Sequence, residues 1–130
     1  MNHNGNSKPR LLITEDDVEN QKLLQLVLRN MFEIDLCDSE QCFYNQLSKK
    51  EYDAVLMDVT LKGEKNGVDI IKDMRKKSQF KDIPVICLSA NVFGEDRMKA
   101  REAGIDVYLT KPVDNSLLIN TLNKLINKNS

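Results

Sequence analysis

The chain is poor in the residues that most often carry nucleophilic and zinc chemistry. Histidine occurs once, as His3 in a polar N-terminal stretch, and none of the cysteines Cys37, Cys42 and Cys87 form a Cys-x-x-Cys pair. A Cys/His zinc site is therefore disfavoured, and Ser-His-Asp or Cys-His catalysis lacks its imidazole base. We expect the cysteines to serve as small packing residues.

An excess of charge of one sign and a long apolar run are also missing. The 130 residues include 19 basic and 20 acidic side chains, for a net charge of -1. This balance disfavours nucleic acid or an anionic membrane surface as the main partner. No apolar run is long enough to span a bilayer or to form the core of a signal peptide. We therefore expect a cytoplasmic protein.

What the sequence does contain is a regular alternation of short apolar runs and amphipathic stretches. The apolar runs predict strands at residues 10–14, 34–37, 53–57, 83–88 and 107–109. Helices are predicted at residues 18–31, from an N-cap at Ser39 to residue 47, at 67–76, at 95–103 and after a cap at Asp114. This alternation predicts one α/β domain.

The predicted architecture is a doubly wound, five-stranded parallel sheet of order 2-1-3-4-5 with five helices on both faces. We expect this domain to cover residues 10–127, with a disordered polar tail at residues 1–9 and a second tail at residues 128–130. In such a sheet, ligands bind outside the carboxyl ends of the strands, where the strand order reverses.

Charged and hydroxyl side chains follow the predicted strands at those carboxyl ends. They are Glu15, Asp16 and Asp17 after the first strand, Asp58 after the third, Ser89 at the fourth and Lys111 after the fifth. Clustered carboxylates favour a hard cation, Mg²⁺ or Mn²⁺, and a lysine and a hydroxyl suit phosphoryl oxygens. The pattern predicts that Asp58 is a nucleophile that forms an acyl phosphate. Asp17 is better explained as a helix cap.

Taken in order, these motifs closely resemble the receiver domain of two-component response regulators. The resemblance runs from Arg10 to Asn127. It depends on the motifs LLITEDD at 11–17, VLMDV at 55–59, PVICLSA at 84–90, AG at 103–104 and YLTKP at 108–112.

The resemblance implies a role for each matching residue. Glu15 and Asp16 correspond to the acidic pair that holds Mg²⁺, and Asp58 is both the phosphoacceptor and a metal ligand. The main-chain carbonyl of Thr60 would complete the metal's protein ligands. Thr60 also matches one of two positions that tune the lifetime of the phosphoryl group, and Asn91 matches the other.

The remaining implied residues bind the phosphoryl group or transmit its presence. Ser89 matches the switch hydroxyl, Tyr108 matches the switch aromatic residue that turns inward, and Lys111 matches the lysine that pairs with a phosphoryl oxygen. The peptide bond before Pro112 is expected to be cis. By the same resemblance, output uses the face formed by helix 4, strand 5 and helix 5.

Helix 4 is expected to shift easily, because only Met98, Ala100 and Ala103 anchor it. The implied donor is a sensor histidine kinase or a histidine phosphotransfer protein, and the downstream effector is unknown. A monomer or weak dimer is expected, without binding of nucleic acid or membrane. The domain would catalyse only its own phosphorylation and slow dephosphorylation, so it is not expected to be a turnover enzyme.

Two departures from the family pattern affect the acidic site and the loop after it. Gly67 lies nine residues after Asp58, one more than is common, so the loop between them is expected to bulge. The first acid of the pair is a glutamate, Glu15, rather than an aspartate.

Other functions remain open at this level. An aspartate-nucleophile phosphatase of the haloacid-dehalogenase type would need a second acid at position 60, where this chain has Thr60. A phosphorylation-independent pseudo-receiver would usually have lost an acid or the lysine. A flavin-binding module would need a polar, uncharged phosphate loop after strand 1, where this chain is acidic.

Overall fold

In the computed structural model, which describes residues 8–58, 66–90 and 94–129, strands and helices alternate along the chain. The strands are β1 (Arg10–Thr14), β2 (Glu33–Cys37), β3 (Ala54–Asp58), β4 (Val85–Ser89) and β5 (Val107–Thr110). The α-helices are α1 (Val18–Leu28), α2 (Glu40–Lys49), α3 (Gly67–Arg75), α4 (Gly94–Glu102) and α5 (Asn115–Asn129). A short 3₁₀ helix, Ser78–Phe80, precedes β4.

The strands form one parallel sheet of order β2-β1-β3-β4-β5, which confirms the predicted topology. The order reverses between β1 and β3, because the chain first adds β2 on one side of β1 and then crosses to the other. The carboxyl ends of β1 and β3 are therefore neighbours at the point where the strand order reverses.

The sheet separates two hydrophobic cores, because successive residues of a strand point to opposite faces. On one face, Leu12, Val55 and Cys87 pack with residues of α2 and α3. On the other face, the core contains Leu11, Ile13, Leu28, Phe32, Ala54, Leu56, Ile86, Leu88, Leu118, Leu122 and Ile126, most of them from β-strands, α1 and α5. Both faces of the parallel sheet are covered, as its continuous apolar strands require.

Short polar side chains cap the helices and fix where each one begins. The Asp17 carboxylate accepts a hydrogen bond from the N–H of Asn20 at 2.9 Å, which confirms Asp17 as a cap. Ser39 caps α2 through the N–H of Cys42, and Asp114 accepts from the N–H of Leu117 at 3.0 Å.

Some element boundaries differ from the expected ones. The first helix ends at Leu28 rather than at residue 31, because the N–H groups of Met31 and Phe32 both turn back to the Leu28 carbonyl. The fourth strand begins after Pro84, which has no N–H to donate to a ladder. The last helix reaches Asn129, so residues 128 and 129 are helical rather than part of a tail.

The anchoring of α4 also differs from the expectation. Ala100 and Ala103 are buried as predicted, but Met98 is 66% exposed and anchors nothing. The helix therefore packs through small methyl groups. The residue after Ala103 is Gly104 with φ +91°, the left-handed conformation expected of a residue that ends a helix.

The three cysteines pack in the core as expected, but two of them also pair with each other, which was not expected. Cys37 at the end of β2 and Cys42 in the first turn of α2 form a disulfide, with their Cα atoms 5.4 Å apart. A turn of only two residues joins β2 to α2, which keeps the two cysteines close enough for their sulfur atoms to bond. Cys87 is buried within β4 and does act as a packing residue.

A membrane-spanning segment was not expected, and among the described residues no helix combines the length and apolarity needed to cross a bilayer.

Candidate functional site

Three carboxylates meet at the carboxyl edge of the sheet, where the strand order reverses. Ligand oxygens of Glu15, Asp16 and Asp58 all lie within 4.8 Å of one another, and we call these three residues the acidic cluster. Glu15 is 2% exposed and Asp58 is 4% exposed, whereas Asp16 is half-buried. Two of the three charges are therefore almost removed from water.

The backbone around Glu15 is held from two sides. Its N–H donates to the Cys37 carbonyl at 2.8 Å, which extends the pairing of β1 with β2 by one residue. Its own carbonyl accepts from the side-chain amide of Gln21 at 2.6 Å, which ties it to α1. The N–H of Asp17 donates to Glu15 Oε2 at 3.1 Å. The side chain therefore cannot turn out to solvent without breaking this bond.

Lys111 brings a positive charge to the cluster from the end of β5. Its Nζ lies 3.1 Å from Asp58 Oδ2 and 3.6 Å from Glu15 Oε1. The Lys111 N–H donates to the Ser89 carbonyl at 2.7 Å, so the strand end that carries the lysine is anchored to β4. The Lys111–Pro112 peptide bond is cis, as predicted.

The electrostatics reflect a surplus of negative charge. Burial raises the pKa of Glu15 from 4.5 to about 7, and a hydrogen bond with Asp58 adds to the rise, while the Asp17 N–H and Lys111 oppose it. Burial lowers the pKa of Lys111, but its bond to Asp58 and the charges of Asp58 and Glu15 outweigh burial and raise it overall. The ammonium group is thus firmly protonated, and one carboxyl holds its proton unusually well.

The two predicted switch residues lie on adjacent strands. Ser89 is the fully buried last residue of β4, and Asp58 pairs in register with Leu88 just before it. Tyr108 is half-buried in β5, and the Arg97 guanidinium of α4 lies over its ring, 5.4 Å from the centroid. The ring of Tyr108 is therefore in direct contact with α4.

Two predicted residues, Thr60 and Asn91, lie outside the described residues, and so does the loop expected to bulge after Asp58. The structure thus brings together Glu15, Asp16, Asp58 and Lys111 at one edge.

The acidic cluster fits a hard divalent cation. All three side chains offer oxygen, which suits Mg²⁺ or Mn²⁺ better than zinc or copper. Burial, and after it the contact with Asp58, raises the pKa of Glu15 even with Lys111 beside it, so the ionised cluster would be favoured by further positive charge. A cation that takes carboxylate and phosphoryl oxygens would supply it.

A family model described as the response regulator receiver domain matches residues 11–123 of this chain. The chain belongs to the response regulator receiver family. The matched region includes all three acids of the cluster and Lys111.

The receiver domain is similar to parts of larger regulatory proteins. It is 35% identical over 104 residues to the phosphate regulon transcriptional regulatory protein PhoB of Escherichia coli, covering 79% of this chain and 45% of PhoB. It is 32% identical over 127 residues to hybrid signal transduction histidine kinase I of Dictyostelium discoideum, covering 92% of this chain and 7% of the kinase. The chain thus spans less than half the length of these relatives.

A solved receiver domain gives the structural comparison. The receiver domain of sensor histidine kinase PA1611 from Pseudomonas aeruginosa matches with a TM-score of 0.84 and 27% identity, covering 93% of this chain and 99% of that one. That crystal structure holds a magnesium ion coordinated in its active-site cleft.

Several residues that shape the site were missed from sequence alone. Gln21 supports the backbone of Glu15, and Arg97 covers the Tyr108 ring. Both are ordinary polar residues of amphipathic helices, and nothing in the local pattern distinguishes them from solvent-facing neighbours. The contact of Glu15 with Cys37 follows only from the strand register.

Proposed function

We propose that this receiver domain is a phosphorylation-operated switch in which Asp58 accepts a phosphoryl group from phosphohistidine. The convergence of Glu15, Asp16 and Asp58 within 4.8 Å, with Lys111 Nζ at 3.1 Å from Asp58, is the observation that carries the proposal. The donor would be a sensor histidine kinase or a histidine phosphotransfer protein, and the similarity to a hybrid histidine kinase supports this choice. Such a donor implies a cytoplasmic location.

In the proposed transfer, a carboxylate oxygen of Asp58 attacks the phosphorus atom of phosphohistidine. The new P–O bond forms as the P–N bond breaks, and the electron pair of that bond stays on the imidazole nitrogen of the donor. Lys111 shifts its hydrogen bond from Asp58 to an oxygen of the arriving phosphoryl group. The product is an acyl phosphate on Asp58.

The surrounding groups stabilise charge on the phosphoryl oxygens. Lys111 provides a point charge, and the hydroxyl of Ser89 donates a hydrogen bond. Mg²⁺, or Mn²⁺, held by the acidic cluster and the Thr60 carbonyl would offset the negative charge that gathers on these oxygens. Catalysis of this kind is positioning and electrostatic stabilisation, which a preformed cluster provides without large movement.

The signal would leave through α4, β5 and α5. When Ser89 turns to the phosphoryl group, Tyr108 turns inward, and the Arg97 contact with its ring is lost or remade. Because α4 packs through Ala100 and Ala103 alone among the residues expected to anchor it, its displacement costs little packing energy. Phosphorylation biases an existing equilibrium rather than creating a new state. The domain would act on an effector of unknown identity as a monomer or weak dimer.

A groove between α1 and α5 gives the donor a place to dock. It has a volume of about 320 Å³, its walls include Leu24, Val27 and Leu118, and Glu15 and Lys111 line its polar end. A donor that presents phosphohistidine to Asp58 must lie across this end, so we assign the groove to an apolar helix of the donor. Leu23 on α1 also lines the groove and is 58% exposed, and Leu26, three residues further along the helix, is 60% exposed.

The acceptor is tested by incubating the chain with phosphoramidate, which carries the P–N bond of phosphohistidine, with and without Mg²⁺. Intact mass should show one Mg²⁺-dependent phosphoryl adduct that is labile to base and absent from Asp58→Asn. Asp53→Asn is the matched control, because Asp53 precedes the same strand at the opposite edge and bonds the Arg10 N–H. An adduct retained in Asp58→Asn would refute the acceptor assignment.

The phosphatase alternative predicts a different outcome in the same assay. A phosphatase releases many equivalents of inorganic phosphate per protein and accumulates no adduct, whereas a receiver takes up one equivalent and releases it slowly. Fast multiple turnover would therefore refute the switch.

The docking assignment is tested with the surface variants Leu23→Glu and Leu26→Glu. Both should accept phosphate from phosphoramidate at the wild-type rate, because their side chains lie outside the acidic cluster. Transfer from a phosphorylated histidine phosphotransfer protein that serves the wild type should slow by roughly tenfold or more. Equal transfer rates would place the donor elsewhere.

A further inference from the structure

The two cysteines that form the disulfide occupy different environments. Cys37 is the last residue of β2 and is 2% exposed, within the core beside α2. Cys42 lies in the first turn of α2 and is only half-buried. A small thiol or disulfide in solution can therefore reach Cys42, whereas Cys37 is positioned to react only with Cys42.

The first turn of α2 holds Cys42 in a fixed position next to Cys37. Ser39 fixes this turn, since its hydroxyl accepts from the Cys42 N–H at 3.2 Å.

Cys87 provides an internal contrast. It is fully buried in the interior strand β4, and burial raises the pKa of its thiol far above the ordinary range. Protonated and shielded from solvent, Cys87 is inert, so any redox response of the native domain falls on the pair.

The pair is connected to the acidic cluster through the backbone. The carbonyl of Cys37 accepts the Glu15 N–H at 2.8 Å, and Cys37 is in register with Thr14 on β1. The strand end that the disulfide fixes to α2 is therefore the one that holds the backbone of Glu15.

We propose that Cys37 and Cys42 form a reversible redox site whose oxidant is a small-molecule disulfide of the glutathione type. The Cys42 thiolate attacks one sulfur of the oxidant, which forms a mixed disulfide and expels one glutathione thiolate. The Cys37 thiolate then attacks the Cys42 sulfur and expels the second glutathione thiolate. The two protons of the cysteines pass to the two glutathiones, and the protein loses two electrons. This site goes beyond phosphoryl acceptance and does not depend on it.

In a reducing compartment, the hydrogen bond from Glu15 to the Cys37 carbonyl makes this chemistry regulatory. Glutathione keeps most cytosolic thiols reduced, so disulfides there are usually transient, catalytic or redox-sensing. When oxidised, the pair ties β2 to α2 and restrains the backbone that holds Glu15. When the pair is reduced, only the hydrogen bonds between the strands and the side-chain packing restrain the backbone of Glu15.

The redox site is tested by equilibrating the whole chain with mixtures of reduced and oxidised glutathione. The samples are acid-quenched, unfolded, alkylated with iodoacetamide and weighed intact. The wild type should pass in one step from three alkylated cysteines to one, without an intermediate that carries two. Cys87→Ala should pass from two to none at the same glutathione ratio. Three alkylated cysteines at every ratio, or a mixed glutathione adduct alone, would overturn the proposal.

Variants of Cys42 separate pairing from nonspecific oxidation. Cys42→Ser and Cys42→Ala should both retain two alkylatable cysteines under conditions where the wild type retains one. Loss of labelling in these variants to the same extent as in the wild type would also overturn the proposal, because it would show that Cys42 is not a partner.

The connection to the acidic cluster has its own readout. Amide hydrogen exchange of Glu15, followed by NMR, should be about tenfold slower in the oxidised wild type than in the reduced one. The exchange of the Leu56 amide in β3 serves as the control and should change much less. Equal Glu15 exchange in the two forms would overturn the link to the acidic cluster, and neither readout requires that Asp58 be phosphorylated.

Discussion

One ion pair lies at the carboxyl ends of the strands, the carboxyl edge of the sheet, and another lies at their amino ends, the amino edge. The two pairs have the same N–O distance but different surroundings. At the carboxyl edge, Lys111 Nζ lies 3.1 Å from Asp58 Oδ2. At the amino edge, Arg75 Nη2 lies 3.1 Å from Asp106 Oδ2. Both join elements that are far apart in sequence, so distance alone does not distinguish them.

The amino-edge pair is densely hydrogen-bonded. Arg75 also donates to the carbonyls of Gly104 at 3.0 Å, Phe80 at 3.2 Å and Lys81 at 2.9 Å. Asp106 accepts in addition from the Val85 N–H at 2.7 Å, at the start of β4. The guanidinium already bonds four protein acceptors, so this pair has little tendency to bind anything else.

The carboxyl-edge pair lies among more negative than positive charge. One ammonium faces three carboxylates, and two of the carboxylates are almost fully buried. The protein retains an arrangement that destabilises its own fold, which is typical of functional sites rather than of structural ion pairs. The contrast shows that an ion pair is identified as structural or functional by the charges and hydrogen bonds around it.

The strongest expected effect comes from removing the positive charge at the carboxyl edge. In Lys111→Met, no ammonium stabilises the phosphoryl oxygens, so the rate of phosphorylation by phosphoramidate should fall by roughly 100-fold to 1,000-fold. Lys111→Arg should retain more activity than Lys111→Met, because it keeps the charge in an altered geometry. Intact-mass time courses measure both rates, and a wild-type rate in Lys111→Met would show that the pair has no role in the chemistry.

The matching change at the amino edge should affect stability and leave the chemistry intact. Arg75→Met loses four hydrogen bonds and leaves Asp106 and three carbonyls without this donor, so the free energy of unfolding should fall by about 2–4 kcal/mol. Urea unfolding measures the loss. Arg75→Lys should recover only a small part, since one ammonium cannot reach all four acceptors.

The phosphorylation rate provides the control for Arg75→Met. At a low temperature where the variant is fully folded, its rate with phosphoramidate should equal that of the wild type. A fall in rate as large as that in Lys111→Met would mean that Arg75 also supports phosphorylation and is not a purely structural residue.

The surplus of negative charge should appear as a pH dependence of stability. Because burial and Asp58 raise the pKa of Glu15 from 4.5 to about 7, the folded protein keeps a proton between these pH values that the unfolded chain has released. In the absence of metal, the contribution of Glu15 to the free energy of unfolding should therefore decrease as pH rises from 4.5 to 7, by about 1–3 kcal/mol. Urea unfolding in chelator at a series of pH values tests this.

Glu15→Gln separates this contribution from that of other groups. The variant carries no titrating carboxyl at position 15, so its stability should fall less than that of the wild type over the same pH range. Addition of Mg²⁺ at pH 7 should restore stability in the wild type, because a bound cation compensates the carboxylates. Parallel pH profiles of the two proteins would contradict the raised pKa.

The smallest expected effect concerns a buried polar atom next to the acidic cluster. Thr14 Oγ1 is fully buried and has no hydrogen-bond partner among residues 8–58, 66–90 and 94–129. Arg75, by contrast, makes four hydrogen bonds. Thr14→Val replaces the hydroxyl by a methyl group of similar shape, so the free energy of unfolding should rise by about 1 kcal/mol. A decrease measured by urea unfolding would indicate that the hydroxyl is satisfied in the native protein.

Much of the fold and of the candidate site could be predicted because the relevant signals are local. Each strand of the parallel sheet is a short apolar run, and the acids and the lysine directly follow strands whose carboxyl ends meet at one edge. Helix caps such as Asp17 and Ser39 bond N–H groups three residues away, so local sequence also predicted them. Met98 was misplaced because in a helix with few apolar residues the buried face is weakly specified.

The order of the elements, the sheet topology and the membership of the acidic cluster were predictable from local sequence, because hydrophobic period and strand ends depend on neighbours along the chain. Which charges are compensated depends instead on how the elements pack. The raised pKa of Glu15, the four hydrogen bonds of Arg75 and the pairing of Cys37 with Cys42 depend on distances set by side-chain packing and strand register. Burial and desolvation act through space, and no pattern of residue types specifies them alone.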